Sequence, residues 1–231
     1  MNRIKFYIES NLILFVVLTF LSTRVISYLY YEISIDSYWI SGVWQHINQK
    51  YLEESLLSSL IYFHAQPPFW NLILGLGVKI QNLIPLKIYF NFLNFIFTLI
   101  LLICSCQILR LLKFSKFQIY YITFILVTLS PSILFFENLP IYSHFTCLLL
   151  FLIKFFFLKI YKFYKLKYEL LIYIFSTILI FTWSAYTIYF NFIILVLLMP
   201  LIIKKQMIFK SVLLFTIFFI LASSPAIKNK I

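Results

Sequence analysis

The chain contains a single aspartate, Asp36, which lies five residues beyond Tyr31, where the first long apolar run ends. A carboxylate at the dry end of an apolar helix can have a raised pKa and can accept a proton from an attacking hydroxyl group, as a general base does. A lone aspartate in a loop is more commonly a solvated residue that ends a helix. The catalytic interpretation is favoured because other ionisable residues are predicted on the same side of the apolar helices: His46, Glu53, Glu54, His64, Lys79, Glu137 and His144.

The most distinctive string runs from His64 to Asn71 and reads His-Ala-Gln-Pro-Pro-Phe-Trp-Asn. Proline is tolerated in the first turn of a helix, so the two prolines predict a helix start that holds His64 and Gln66 at its N-terminus. The free amides and the dipole of such an end favour an anion such as phosphate. A rigid corner that only redirects the chain fits the spacing equally well. Lys79, three turns later, is either a phosphate ligand or, as we favour slightly, an interfacial anchor.

The amino-acid composition indicates that these residues belong to a membrane protein. Of the 231 residues, 63% are hydrophobic and only 11% are charged, and the mean hydropathy is +0.99. A soluble domain would be about a quarter charged, and apolar runs near 20 residues match the length of a membrane-crossing α-helix. The net charge of +12 does not indicate nucleic acid, because the basic residues form short clusters between apolar runs. We expect an all-α polytopic membrane protein that binds membrane lipids and no nucleic acid.

The apolar runs and the basic clusters together predict the path of the chain. The run at 169–203 is about two crossings long, and its polar centre near Ser184 is a plausible reversal point. The positive-inside rule places every basic cluster in the cytoplasm, which requires the short run at 69–84 to be re-entrant or in-plane. The result is about seven transmembrane helices, a cytoplasmic N-terminus and a long outer loop over residues 32–87. The runs are 11–31, 69–84, 88–109, 117–136, 141–158, 169–203 and 207–224.

Smaller features fit this threading. Leu52, Leu56, Leu60 and Phe63 follow helical spacing beside polar residues, which predicts an amphipathic helix on the membrane surface. Arg24 lies within the first span, where we expect it to snorkel, although it could instead hold a lipid phosphate. Lys154 is expected to be a snorkelling anchor near the cytoplasmic end of its span. Gly75 and Gly77 are a weak signal for close helix packing, and the three cysteines indicate neither a disulfide framework nor a zinc site.

An acidic residue after the first span, an amphipathic loop, a His-Pro-Pro type string opening a short helix that ends near a lysine, and the later Ser130-Pro131 together resemble the GT-C superfamily of polyprenyl-phosphate-sugar-dependent glycosyltransferases. The similarity is to glycosyltransferase family 39 in the broad sense, including protein-mannosyltransferase-like and rhizobial galacturonosyltransferase-like proteins. It covers essentially the whole chain. The individual motifs are short. The resemblance depends on their order along the chain and on their predicted location on the same side of the membrane.

The resemblance implies roles for individual residues. Asp36 corresponds to the catalytic acid of the first outer loop, while His64, Gln66 and Lys79 would contact the donor phosphate. Glu137 and His144 are the candidate contributors from the second outer loop, because many family members have an aspartate where this chain has Tyr142 and Ser143. That departure leaves metal dependence open, and the cofactor is unknown.

The function implied by the resemblance is inverting transfer of a sugar from a polyprenyl-phosphate donor to a lipid, glycan or protein acceptor. It would take place at the outer face of a bacterial inner membrane. Residues 1–231 would form one transmembrane module with the site in the loop 32–87, and we expect the C-terminal module of the family to be missing. The alternative is a non-catalytic membrane protein, either a truncated relic or a transporter. The near absence of acids in the spans disfavours coupled transport.

Overall fold

A computed structural model describes residues 11–31, 46–62, 68–137, 141–163, 165–182 and 217. Within those residues every regular element is helical, which confirms the all-α class. The helices are α1 (Leu12–Tyr31), α2 (Gln49–Glu54), α3 (Leu56–Tyr62), α4 (Pro68–Ile80), α5 (Leu86–Leu111), α6 (Lys116–Thr123) with a π-helical continuation over Phe124–Thr128, α7 (Pro131–Glu137), α8 (Tyr142–Lys162) and α9 (Leu166–Thr182).

Two of these helices are long and apolar enough to cross a membrane, namely α5 with 26 residues and α8 with 21. At 1.5 Å per residue they are about 39 Å and 31 Å long, against a hydrocarbon layer of about 30 Å. Shorter apolar helical stretches cover Leu12–Ser27, Pro68–Ile80 and Lys116–Thr128. The described residues therefore supply two candidate spans rather than the predicted seven. Most of the run 169–203, and nearly all of 207–224, lies outside the described residues.

The predicted crossing at 117–136 is not one continuous helix. A capping box starts α6, in which the Ser115 hydroxyl accepts from the Gln118 amide and the Ser115 amide donates to the Gln118 side chain. The helix then widens into the π turn and stops at Leu129. Pro131 disfavours a helical conformation at Ser130 and supplies no amide hydrogen, so α7 has to begin anew there. The hydropathy of the run is continuous, whereas its backbone is interrupted.

The amphipathic helix predicted from Leu52 onwards is also divided, into α2 and α3 with Ser55 between them. Leu52 and Leu56 both approach Gly75 of α4, where a Cβ atom would collide with the Leu56 side chain. Ser59, one of the polar residues beside these leucines in the sequence, is buried and donates to Tyr51 O over 2.8 Å. Close packing at Gly75 therefore supports the prediction that this glycine allows helices to approach.

The core lies where α8 packs between α5 and α9, the two most extensive helix contacts in the described residues. Phe20 of α1 stacks on Phe95 of α5 with the ring centroids 5.5 Å apart, which adds α1 to this group. The ammonium of Lys162 at the end of α8 donates to Leu111 O at the end of α5. Lysines in the last turn of a helix also interact favourably with its dipole, so this contact ties the two long helices together at one end.

Candidate functional site

Of the six residues expected at the site, the structure describes Lys79, Glu137 and His144. Asp36, His64 and Gln66 lie outside the described residues. The structure therefore gives partners to three of the candidate residues: Lys79 of the predicted first outer loop, and Glu137 and His144 of the second.

Glu137, the last residue of α7, forms a bidentate ion pair with Arg24 of α1. Arg24 Nε and Nη2 donate to the two carboxylate oxygens of Glu137 over 2.7 Å each, and Nη1 donates to Thr128 O over 2.7 Å. The side chains are only 11% and 9% exposed. The planar guanidinium matches the carboxylate edge to edge, which is the strongest geometry available to such a pair. The snorkelling expected of Arg24 is wrong, because its charge is satisfied inside the helix bundle.

Further buried polar groups extend this pair towards α5 and α8. Asn94 Nδ2 donates to the main-chain oxygen of Glu137 over 2.9 Å. The Thr98 hydroxyl lies one turn further along α5, donates to Asn94 O over 3.0 Å and is 2.8 Å from His144 Nε2. We call Arg24, Asn94, Thr98, Glu137 and His144 the buried polar cluster. It joins α1, α5, α7 and the first turn of α8 through hydrogen bonds that apolar packing alone would not specify.

The helix predicted from the two prolines is present, and α4 begins at Pro68. Its first turn is held by two hydrogen bonds to the segment before α2: Trp70 Nε1 donates to His46 Nε2 over 3.2 Å, and Asn71 Oδ1 accepts from the Ile47 amide over 2.8 Å. Trp70 and Asn71 are buried, so these bonds are shielded from water and costly to break.

The start of α4 also packs on the first turn of α8. Phe69 stacks on Phe145 with centroids 5.7 Å apart and ring planes 10° apart, and the Trp70 ring lies 6.0 Å from the same ring. Because Phe145 follows His144 directly, the start of α4 and the buried polar cluster lie at the same end of α8. The sequence predicted that the two loops share one side, and these contacts place the flanks of both loops together.

Lys79 lies in the last turn of α4, as predicted, but away from the helix start. It is eleven residues from Pro68, which is about 16 Å along the axis, so one phosphate cannot contact both. Its ammonium donates to Glu53 O of α2. The Glu53 carboxylate accepts from Gln49 over 2.8 Å and from Gln81 over 2.9 Å. These hydrogen bonds, with a smaller contribution from the Lys79 charge, lower the pKa of Glu53. Lys79 therefore fastens α4 to α2.

Sequence reasoning missed the partners within this site. Arg24 is a lone charge in one apolar run, and Glu137 ends another run, a combination that signals a pair between helices. Asn94, Thr98 and Asn71 are polar residues inside apolar runs and give a weaker signal of the same kind. Among the described residues no group of three or more His, Cys, Asp or Glu side chains is arranged to hold a metal ion.

Comparison with profiles of known protein families, with the sequences of characterised proteins and with solved structures found no match to this chain.

Proposed function

We propose that this chain is a membrane-embedded glycosyltransferase that transfers a sugar from a polyprenyl-phosphate donor to a lipid, glycan or protein acceptor. The motif order Asp36, His64-Pro68 and Ser130-Pro131 suggests the reaction. The observation that carries the proposal is that the described residues on both sides of positions 32–45, which include Asp36, are held by buried polar contacts. On one side these positions follow α1, where Arg24 pairs with Glu137. On the other they precede His46 and Ile47, which are bonded to the start of α4.

The chemistry assigned to this segment is a single displacement. Asp36 accepts the proton of an acceptor hydroxyl group, and the oxygen attacks the anomeric carbon of the donor sugar. The bond between that carbon and the phosphate oxygen breaks with inversion, and the lipid phosphate leaves with the bonding electron pair. The free amides at the start of α4, together with His64 and Gln66, stabilise the leaving phosphate. Lys79 is left out of this step because of its distance from Pro68.

Asp36→Asn tests the proposal, because asparagine keeps the size of the side chain and removes the basic carboxylate. We expect sugar transfer from a polyprenyl-phosphate donor to fall about 10²- to 10⁴-fold, as for a lost general base, while expression stays unchanged. Glu54→Gln is the matched control, since Glu54 is 61% exposed and should be close to neutral. Full activity of the Asp36 variant would contradict the proposal.

A non-catalytic membrane protein is the second candidate, and one observation favours it. Glu137, His144 and Lys79 all have partners within the chain, which is what structural residues require. The two candidates differ in one measurement: donor hydrolysis or transfer by the purified wild-type chain that Asp36→Asn abolishes belongs only to the enzyme.

A further inference from the structure

A cavity of about 240 Å³ lies between α5, α6 with its π turn, α7 and α8, about one helical turn from the buried polar cluster, and no residue of that cluster lines it. Its walls extend along α5 from Leu101 to Leu112, a distance of about 16 Å along the axis. Leu112 and Leu126, which are 49% and 63% exposed, mark the side on which it opens to the surroundings. The shape is a laterally open slot that follows the direction of the long helices.

The walls of this cavity offer almost no free polar groups. The Ser105 hydroxyl donates to Leu101 O over 2.8 Å, and the Thr123 hydroxyl donates to Ile119 O over 2.7 Å, so both are used within their own helices. The remaining lining residues are apolar apart from Cys147 and Lys154. A wall of this kind suits a hydrocarbon chain and does not suit water, which needs several polar partners.

Lys154 is the one charged residue that lines the cavity. Its side chain is exposed, and no described residue forms a hydrogen bond or an ion pair with its ammonium group. Lys154 precedes Lys162, the last residue of α8, by eight residues. It is therefore about 12 Å from the basic end of that helix. An ammonium at that depth needs an anionic partner or access to the interface. The same end of the helix bundle carries four other basic residues, Arg110, Lys113, Lys116 and Lys159. The one acidic residue described at this end, Glu169, is buried.

The π turn forms part of the same wall through Leu126 and Val127. Insertions of π-helical geometry into α-helices are rare and occur frequently at functional sites. Here the wider turn is followed by the break at Leu129, so the chain does not run on as a continuous helix beside α8. The cavity thus coincides with an irregular backbone and with a cation that has no partner among the described residues.

We propose that this cavity binds one acyl chain of an anionic phospholipid, whose phosphate group pairs with Lys154. The acyl chain of the lipid lies against the apolar walls near Leu101, and its phosphate lies between Lys154 and the Leu112 end of the cavity, which is the basic end of the bundle. This inference rests on the membrane location included in the proposed function and not on glycosyl transfer. It gives Lys154 a specific lipid partner in addition to the interfacial anchoring predicted from the sequence.

The test uses the full chain purified from membranes and exchanged into vesicles of phosphatidylcholine with or without phosphatidylglycerol. Mass spectrometry of the protein then counts the phosphatidylglycerol molecules that remain bound. We expect Lys154→Gln to weaken this retention about fivefold, the factor that one lysine near a charged membrane surface typically contributes. Lys154→Arg should restore it. Lys167→Gln is the matched control, because Lys167 is an exposed lysine of α9 that does not line the cavity.

A second variant tests the cavity itself. Ser105→Leu fills part of the space without changing any charge, and it should reduce retention while gel filtration and helix content stay as in the wild type. Retention that is unchanged in Lys154→Gln, or reduced equally in Lys167→Gln, would overturn the proposal. Equal retention of phosphatidylcholine would overturn the anionic requirement. If a polyprenyl phosphate is added to the vesicles, its retention in preference to phosphatidylglycerol would overturn the proposal and assign the cavity to the donor. None of these readouts requires activity, so they can fail while the effect of Asp36→Asn stands.

Discussion

At the scale of single residues, the partner of a buried charged side chain determines whether that side chain is structural or available for chemistry. Arg24 and Glu137 would each be costly inside an apolar bundle, and they tolerate burial because each satisfies the other. The Arg24 guanidinium also lies 4.4 Å from the centre of the Phe20 ring, which adds a cation–π contact to the pair. Glu137 is therefore a fixed structural carboxylate and a poor candidate for a base that must exchange protons.

Removing one partner of this pair should be far worse than removing both. Glu137→Leu leaves the Arg24 charge buried and unpaired, and we expect it to lower stability by about 3–5 kcal/mol. The double variant Arg24→Met with Glu137→Leu removes both charges and should recover most of that loss. Thermal unfolding in detergent measures the difference.

The exposed pair of Lys50 and Glu54 is the control for this comparison. Their charged atoms are 4.0 Å apart, and the side chains are 77% and 61% exposed. Glu54→Leu should change stability by less than about 1 kcal/mol, because a solvated pair contributes little. Additive losses in the Arg24 and Glu137 double variant would show that the two side chains stabilise the fold independently, contrary to our interpretation.

At the scale of elements, the ends of helices determine how the long runs are divided. The end of α5 is a Schellman motif in which Phe114 N donates to Leu109 O over 3.1 Å and Lys113 N donates to Arg110 O over 3.0 Å. Lys113 occupies the position that glycine usually takes, with a φ of 66°. A residue with a Cβ atom is strained in this left-handed conformation. The turn between α5 and α6 therefore forms at a steric cost at Lys113.

Lys113→Gly should therefore stabilise the protein by up to about 1 kcal/mol, because glycine adopts positive φ without a steric cost. Lys113→Ala removes the same charge and keeps the Cβ atom, so it should give no such gain. A melting temperature that rises equally in both variants would attribute the effect to charge and not to backbone conformation.

At the scale of the whole molecule, the proposed threading places residues 32–87 outside the membrane with α4 not crossing it. The 13 residues of α4 extend about 20 Å, which is shorter than the hydrocarbon layer. In a background lacking the three native cysteines, Lys50→Cys and Lys87→Cys should both react in intact cells with a thiol reagent that cannot cross membranes. Lys113→Cys should be protected. Protection at position 87 together with reaction at position 113 would reverse the threading.

The sequence by itself determined the helical class, the start of α4 and the extent of the two longest apolar helices. These features depend on composition, proline chemistry and run length, which are local properties. It did not reveal the break between α6 and α7, because hydropathy is continuous across a run whose backbone changes at a π turn and at Pro131. It also predicted one amphipathic helix from Leu52 onwards, where the structure has α2 and α3 with Ser55 between them.

The candidate site was predictable only in part, for the same reason. Residue types and order marked Lys79, Glu137 and His144 as candidates on one side of the helices, and Asp36, His64 and Gln66 stay predictions. Only the tertiary structure showed that Arg24 pairs with Glu137 across 113 positions of sequence, and that Lys79 is bonded to Glu53. A buried charge must find an opposite charge or hydrogen-bond partner wherever the chain returns, and the path of the chain decides which residue that partner is.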